Sequence, residues 1–147
     1  MRLPYQILIF PYLKTGKNPI KYCLFKRQDT GIWQGIAGGG EEGETPLKTA
    51  KRELLEEAGI ISDCKIIQLK STSSIPVKAI GDYNWGKDIS TLPEYSFGVE
   101  VKSEQVLLSG EHIKYKWLFF DEAQIKLKWD SNRKALKELN QILKDHP

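Results

Sequence analysis

The chain has 147 residues, of which 40% are hydrophobic and 28% are charged, and its net charge is +3. This length suits one domain that buries roughly two thirds of its unfolded surface. The basic residues are spread along the chain, which argues against nucleic-acid binding. No stretch approaches the about 20 apolar residues of a membrane span. We therefore expect residues 1–147 to form a single soluble domain.

The N-terminus and the two cysteines favour a cytoplasmic protein. Residues 1–10 hold one arginine and a short apolar run that ends at Pro11, without the length or cleavage site of a secretory signal. Cys23 and Cys64 are too far apart for a CxxC motif and have apolar or β-prone neighbours. Both are predicted to be reduced core residues.

The first half of the chain predicts two strands and an amphipathic helix. The strands cover residues 6–13 and 21–26, with a turn between them. After a glycine-rich segment, Thr45 can cap a helix and Pro46 can occupy its first position. Gly59 can end this helix in a left-handed conformation. The predicted apolar stripe of the helix consists of Leu47, Ala50, Leu54 and Ala58.

The second half predicts three further strands, one long loop and two helices. Residues 71–93 have little pattern, and a loop of that length is uncommon in a compact domain unless it is functional. Ser131 is expected to cap the last helix, with Leu136, Leu139 and Leu143 on its apolar face. The predicted strands are 65–69, 95–101 and 115–119, and the predicted helices are 121–127 and 131–143.

Three carboxylates of the first helix lie on one edge. With about 100° between successive residues, Glu53, Glu56 and Glu57 fall within an arc of roughly 100°. Carboxylates at this spacing repel one another unless a cation sits among them. Oxygen ligands without a nearby histidine or cysteine favour Mg²⁺ or Mn²⁺ over zinc, and Mg²⁺ leaves positions for phosphate oxygens. A polyphosphate substrate is therefore predicted.

The residues around these carboxylates resemble a known motif. The sequence from Gly38 to Ile60 matches every fixed position of the Nudix box, G-x5-E-x7-R-E-U-x-E-E-x-G-U, where U is aliphatic. The matching residues are Gly38, Glu44, Arg52, Glu53, Leu54, Glu56, Glu57, Gly59 and Ile60. The chain is thereby identified as a member of the Nudix hydrolase superfamily.

The resemblance implies an α/β/α sandwich with a mixed central sheet and a loop-helix-loop metal site. It also implies an enzyme in which water attacks a nucleoside diphosphate linked to another group. Glu53, Glu56 and Glu57 are then expected to bind metal or activate water. By the same resemblance, Glu44 supports the site and Arg52 orients it by pairing, while Gly38 and Gly59 have structural roles.

Other stretches resemble one branch of the superfamily, the bacterial dATP and dihydroneopterin triphosphate pyrophosphohydrolases. These stretches are "WQGIAGGGEEGET" at 33–45, "EHIKYKWL" at 111–118 and "KWDSNRKALKEL" at 128–139. The resemblance implies that Glu111 is a further metal ligand and that the backbone carbonyl of Ala37 lines the site. It also implies that Arg2 and Lys26 touch substrate phosphates. The branch usually has threonine at the Ala37 position, so a side-chain contact is expected to be lost.

One tryptophan is a candidate for ligand contact, and one histidine is not. Trp85 lies in the long polar segment, where core burial is least expected, and is the predicted stacking partner for a purine or pterin ring. His112 is read as a loop or packing residue, because carboxylates suffice for metal-dependent hydrolysis of a polyphosphate.

The leading functional prediction is Mg²⁺-dependent cleavage of a dATP-like or dihydroneopterin triphosphate to a monophosphate and pyrophosphate. The motif "EHIKYKW" also resembles asymmetric diadenosine tetraphosphate hydrolases, so that activity is the first alternative. A Nudix-fold nucleotide sensor without turnover is a further alternative, which the complete box argues against. The expected partner is a small polyphosphate, and the chain is expected to be a monomer or homodimer.

Overall fold

The computed structural model describes residues 2–16, 19–61, 65–80, 85–86, 88–110 and 112–146. These residues form seven strands and three α-helices. The strands are β1 (Arg2–Lys14), β2 (Ile20–Arg27), β3 (Trp33–Gln34), β4 (Ile36–Glu41), β5 (Ile66–Pro76), β6 (Thr91–Glu100) and β7 (His112–Phe119). The helices are α1 (Pro46–Ala58), α2 (Phe120–Lys126) and α3 (Asp130–Asp145).

The strands form one mixed sheet. Its order is β3-β2-β1-β6-β5, with β4 paired to β1 and β7 paired to β2. The β1–β6 pair is parallel, and the other pairs are antiparallel. The long strand β1 therefore holds β4 at one end and β2 at the other, which places the glycine-rich β4 beside the first residues of the chain.

The two faces of the sheet carry separate cores, because side chains alternate along β1. On one face, Ile7 and Ile9 form a cluster with Ala50, Leu54 and Ala58 of α1. Leu8, Phe10 and Tyr12 pack on the opposite face with Leu136, Leu139 and Leu143 of α3. The expected Nudix fold, an α/β/α sandwich with a mixed sheet, is confirmed.

Helix α1 has the ends that its sequence predicts. The Thr45 hydroxyl accepts a hydrogen bond from the Lys48 N–H at 3.2 Å, and Pro46 is the first helical residue. Gly59 has a φ of 67°, a conformation that glycine adopts without the steric cost of a Cβ. The apolar stripe is shorter than predicted, because Leu47 is exposed and the buried stripe begins at Ala50.

Two sequence predictions on secondary structure were wrong, and one strand was not predicted. Residues 36–41 form a strand although three of them are glycines, and residues 71–76 continue β5 instead of starting a loop. The continuation of β5 was not predicted because this part of the strand is rich in polar residues. At the register shift of β5, Glu138 accepts hydrogen bonds from the Lys70 and Ser71 N–H groups. Helix α3 begins at Asp130, so Ser131 is not its cap.

One of the two cysteines can be compared with its prediction. Cys23 is buried and free, as predicted, whereas Cys64 lies outside the described residues. Among the described helices, none is long and apolar enough to cross a membrane.

The adjacent leucines of α1 test the packing of this helix. Leu54 is fully buried and Leu55 is 55% exposed. We expect Leu54→Ala to lower the free energy of unfolding by about 2–5 kcal/mol, because it leaves a cavity between α1 and β1. The matched control Leu55→Ala should change it by no more than about 0.5 kcal/mol. Urea unfolding measures both variants, and equal losses would contradict this packing.

Candidate metal centre

The glycines of β4 bring the sheet close to the side chains around it. A Cβ at Gly38 would overlap the carboxylate of Glu53, and a Cβ at Gly40 would overlap the Tyr5 ring. A Cβ at Gly39, which faces the other side, would overlap the Arg2 guanidinium. Glycine at position 38 thus leaves the space that Glu53 occupies, which explains why this strand tolerates the conformational cost of glycine.

Arg52 ties α1 to the loop before it and to β4. Its Nε donates to Glu44 Oε2 at 2.7 Å, and its Nη2 donates to Glu44 Oε1 at 3.1 Å and to the Gly39 carbonyl at 2.9 Å. Its Nη1 reaches Glu53 Oε1 at 3.0 Å and Glu56 Oε2 at 3.2 Å. The guanidinium therefore contacts carboxylates from both the loop and the helix.

Glu44 is held more firmly than a loop carboxylate normally is. Besides the two bonds from Arg52, its Oε1 accepts from the Glu41 N–H at 2.8 Å and from the Thr49 hydroxyl at 3.0 Å. The hydrogen bond from Arg52, followed by those from Glu41 and Thr49, lowers the pKa of Glu44 to about 2 despite partial burial. Glu44 is consequently ionised throughout the physiological range.

The three glutamates of α1 converge. One carboxylate oxygen from each of Glu53, Glu56 and Glu57 lies within 4.8 Å of the others. Hard oxygen donors at this separation suit a divalent cation such as Mg²⁺ or Mn²⁺. The three carboxylates differ in exposure: the Glu53 and Glu57 side chains are 11% and 7% exposed, whereas that of Glu56 is 54% exposed.

Burial affects Glu53 and Glu57 differently. Burial raises the pKa of Glu53 to about 7, because desolvation outweighs the Arg52 charge and the nearby Glu57 and Glu56 add repulsion. Burial also acts to raise the pKa of Glu57, but contacts with His112 and Ser109 hold it below its usual value. A cation among these oxygens would favour the ionised form of all three carboxylates.

Glu57 has two contacts that the sequence analysis missed. The Ser109 hydroxyl hydrogen-bonds Glu57 Oε2. His112, predicted to be a loop or packing residue, is buried on β7, with its ring beside Phe25 and its Nδ1 3.3 Å from Glu57 Oε2. The Nδ1 is not aligned for a hydrogen bond, so this contact is a close electrostatic approach. The signal available in the sequence was the "EH" pair opening a strand, which we read as a motif for Glu111 alone.

The predicted substrate residues lie around β4 and at the ends of β1 and β2. Ala37 immediately precedes Gly38 on β4, and the Arg2 side chain lies against Gly39. The Trp85 indole N–H is 3.2 Å from the backbone carbonyls of Arg2 and Leu3. Trp85 thus lies at the start of β1, and its N–H is engaged by the backbone.

Lys26 and Arg27 point to opposite faces of β2. Lys26 alternates with Phe25, which is in the core beside α1, and therefore faces the α3 side. Arg27 faces the α1 side, where its charge contributes to lowering the pKa of Glu57. Glu111, the further predicted metal ligand, lies outside the described residues. Two shallow surface depressions of about 360 and 430 Å³ lie elsewhere, and none of the glutamates of α1 lines them.

The family to which the chain belongs follows from a match over most of its length. The family model described as "NUDIX domain" matches residues 6–139. The chain belongs to the Nudix family. It is a Nudix-type hydrolase that acts on a pyrophosphate linkage, and Nudix enzymes use a divalent metal. The carboxylate cluster on α1 fits that requirement.

Solved structures support the same assignment. A protein from Listeria monocytogenes described as a Nudix hydrolase is 39% identical, with a TM-score of 0.87 over 97% of this chain and 96% of that one. The Escherichia coli dihydroneopterin triphosphate pyrophosphohydrolase is 26% identical, with a TM-score of 0.81 over 96% of this chain and 97% of that one.

A more distant structure shares the Nudix fold. A Caenorhabditis elegans Ap4A hydrolase complex is 18% identical, with a TM-score of 0.73 over 97% of this chain and 99% of that one. At this identity the likeness shows the fold alone. Among curated proteins, none matches the sequence significantly.

The Glu44–Arg52 pair predicts a pH dependence of stability. We expect Glu44→Gln to lower the free energy of unfolding at pH 7 by about 1–3 kcal/mol, because it removes the charged partner of a partly buried guanidinium. The folded-state pKa of Glu44, about 2, lies below its ordinary 4.5, so this stabilisation is complete above about pH 5. It should shrink as the pH falls from about 4.5 towards 2.

Urea unfolding at several pH values measures this difference. Glu42→Gln, in the same loop and exposed, is the matched control and should stay close to the wild type at every pH. A Glu44→Gln deficit that does not change between pH 7 and pH 3 would show that the pair does not stabilise the fold through the Glu44 charge.

Proposed function

We propose that the protein is a Mg²⁺-dependent pyrophosphohydrolase that cleaves a nucleoside or dihydroneopterin triphosphate to the monophosphate and pyrophosphate. The observation that carries this proposal is the converging carboxylate triad of α1, held beside the Gly38 backbone by Arg52. The 26% identity over almost the full length to a dihydroneopterin triphosphate pyrophosphohydrolase supports the substrate class. We propose that residues 1–147 act as one domain.

The chain's own residues have distinct proposed roles around the metal. Glu53, Glu56 and Glu57 would hold Mg²⁺, or Mn²⁺ in its place, with Glu111 and the Ala37 backbone carbonyl as further ligands. When bound, Mg²⁺ neutralises charge on phosphate oxygens and activates water for attack at phosphorus. In the balanced reaction, one water adds across a P–O–P bond, and the triphosphate becomes a monophosphate and a pyrophosphate.

Four other residues position the proposed metal ligands of α1. Arg52 fixes Glu53 by a hydrogen bond of 3.0 Å, and Glu44 fixes Arg52 through two hydrogen bonds. Ser109 and His112 contact the same oxygen of Glu57 from outside α1, which restricts its rotamers. Because catalysis of phosphoryl transfer depends mainly on positioning and electrostatics, these contacts should matter for turnover as well as for stability.

With one phosphate linkage at the triad, the other phosphates and the ring would extend beyond it. We propose that Arg2 and Lys26 contact phosphate oxygens: both face the α3 side of the sheet, Arg2 beside β4 and Lys26 on β2 between β3 and β7. Arg2 lies against Gly39, and the Gly39 carbonyl accepts a hydrogen bond from Arg52. Arg2 is therefore linked to the triad through Gly39 and Arg52. Trp85, anchored to the backbone of Arg2 and Leu3, is the proposed aromatic contact on this side.

Turnover of a substrate panel with product identification tests this function. The panel contains nucleoside and deoxynucleoside triphosphates, dihydroneopterin triphosphate, diadenosine tetraphosphate and ADP-ribose. We expect pyrophosphate and a monophosphate from a triphosphate. Removal of Mg²⁺ with a chelator should abolish turnover. Formation of ATP and AMP from diadenosine tetraphosphate, with no triphosphate cleaved, would contradict the proposal and favour the alternative hydrolase.

The role of the triad is tested in the same assay with Glu57→Gln. The variant should lower kcat by at least about 100-fold, because the ligand set would lose several kcal/mol of charge stabilisation. Glu42→Gln is again the matched control and should retain wild-type kcat. A Glu57→Gln enzyme with unchanged kcat would contradict the assignment of the metal site.

A further inference from the structure

A second group of buried polar residues lies on the α3 side of the sheet, away from the triad. Gln6 of β1 and Glu94 of β6 are each 6% exposed and lie side by side as register partners in the parallel pair. Both alternate with residues that face α3: Leu8 follows Gln6 on its face, and Gly98, on the face of Glu94, lies against Leu139. No proposed catalytic role uses either residue.

Two polar atoms in this group have no hydrogen-bond partner among the described residues. They are Glu94 Oε1 and Gln6 Nε2, one an acceptor and the other a donor. Burial raises the pKa of Glu94 to about 7, and the nearby Ser131 side chain opposes this only in part. A buried polar group without a partner costs about 1–3 kcal/mol, so natural proteins seldom keep two neighbouring ones without a use.

The start of α3 makes polar contacts with the sheet and carries an exposed aromatic ring. Trp129, which is 42% exposed, donates its indole N–H to Gln34 Oε1 at 3.3 Å. Asn132 Oδ1 accepts from the Gly35 N–H at 2.9 Å, and Asn132 Nδ2 donates to Ser131 Oγ at 3.3 Å. The start of α3 is therefore held over the sheet here by hydrogen bonds, whereas its later turns are held by leucines.

The group is adjacent to the candidate metal centre through β4. Gln6 pairs with Gly39 of β4. The Gly39 carbonyl accepts a hydrogen bond from Arg52, and the Arg2 side chain occupies the space where a Cβ of residue 39 would lie. Among the described strands β4 pairs with β1 alone, so its other edge has no strand beside it. Gln6 is therefore separated from the Arg52 contact of the metal centre by one residue pair of the sheet.

We propose that Glu94 and Gln6 form a recognition site for the heterocyclic ring of the substrate, which must offer an N–H donor next to a ring-nitrogen or carbonyl acceptor. The N–H of such an edge donates to Glu94 Oε1, and Gln6 Nε2 donates to the neighbouring acceptor. Purines and pterins both present this edge, as do pyrimidine bases, whereas a ring alkylated at that nitrogen does not. This inference rests on the proposed function for the phosphate part of the substrate.

Such a site discriminates against rings that lack the matching pattern. A ring without the N–H leaves Glu94 buried and unpaired in the complex, and enzymes that bury polar groups against substrate reject such analogues strongly. The ring specificity would then depend on Glu94 and Gln6, and the phosphate chemistry on α1.

Isothermal titration calorimetry with unphosphorylated probes tests the ring site without turnover. The probes are adenosine, guanosine and neopterin, and the proteins are the wild type, Glu94→Gln and Gln6→Met. We expect the wild type to bind at least one probe and both variants to bind it at least about 10-fold more weakly. Glu100→Gln, the same change on the same strand, is the control and should bind as the wild type does.

Each outcome of the titration is decisive when combined with the panel assay. If the wild type binds no probe, or if both variants bind as the wild type does, the ring site is overturned while triphosphate cleavage can stand. If a probe binds in a Glu94-dependent way but no triphosphate is cleaved, the ring site stands and the proposed function fails. Glu94→Gln removes a buried ionisable group, and circular dichroism verifies that each variant is folded before titration.

Discussion

The guanidinium of Arg52 is the interaction on which the rest of the candidate metal centre depends. It joins three parts of the chain: the Glu44 carboxylate in the loop, the Gly39 carbonyl on β4 and the Glu53 carboxylate on α1. The planar fork of arginine offers five N–H donors in fixed directions, which the ammonium of lysine does not. Arg52 thereby fixes the rotation of α1 relative to β4, and with it the direction in which the three glutamates point.

The glutamates of α1 show how a fold accommodates like charges. Glu56 remains exposed and shares the Arg52 charge, while Ser109 and His112 contact Glu57. Glu53 is the group for which burial exceeds compensation, and its pKa is raised to about 7. Such a carboxylate beside two others is the arrangement expected where a cation completes the charge balance. The repulsion among the three carboxylates is thus reduced at Glu56 and Glu57 and retained at Glu53.

Much of the fold and of this centre could be predicted from the sequence, because the signals were local. Thr45, Pro46 and Gly59 set the ends of α1 through their own conformational preferences, and the spacing of the glutamates placed them on one edge. Contacts between distant residues were not predictable in this way. Glu138 supports β5 across 67 residues, and Asn132 of α3 accepts a hydrogen bond from the Gly35 N–H across 97 residues. Likewise, His112 reaches Glu57 only because β7 pairs with β2 beside α1.

The central claim is that the oxygens of Glu53, Glu56 and Glu57 form one divalent metal site. Binding of Mn²⁺ followed by electron paramagnetic resonance measures this site directly, without substrate or turnover. We expect Glu57→Gln to weaken Mn²⁺ binding at least about 10-fold and Glu42→Gln to bind as the wild type does. Equal Mn²⁺ affinity in the wild type and Glu57→Gln would contradict it.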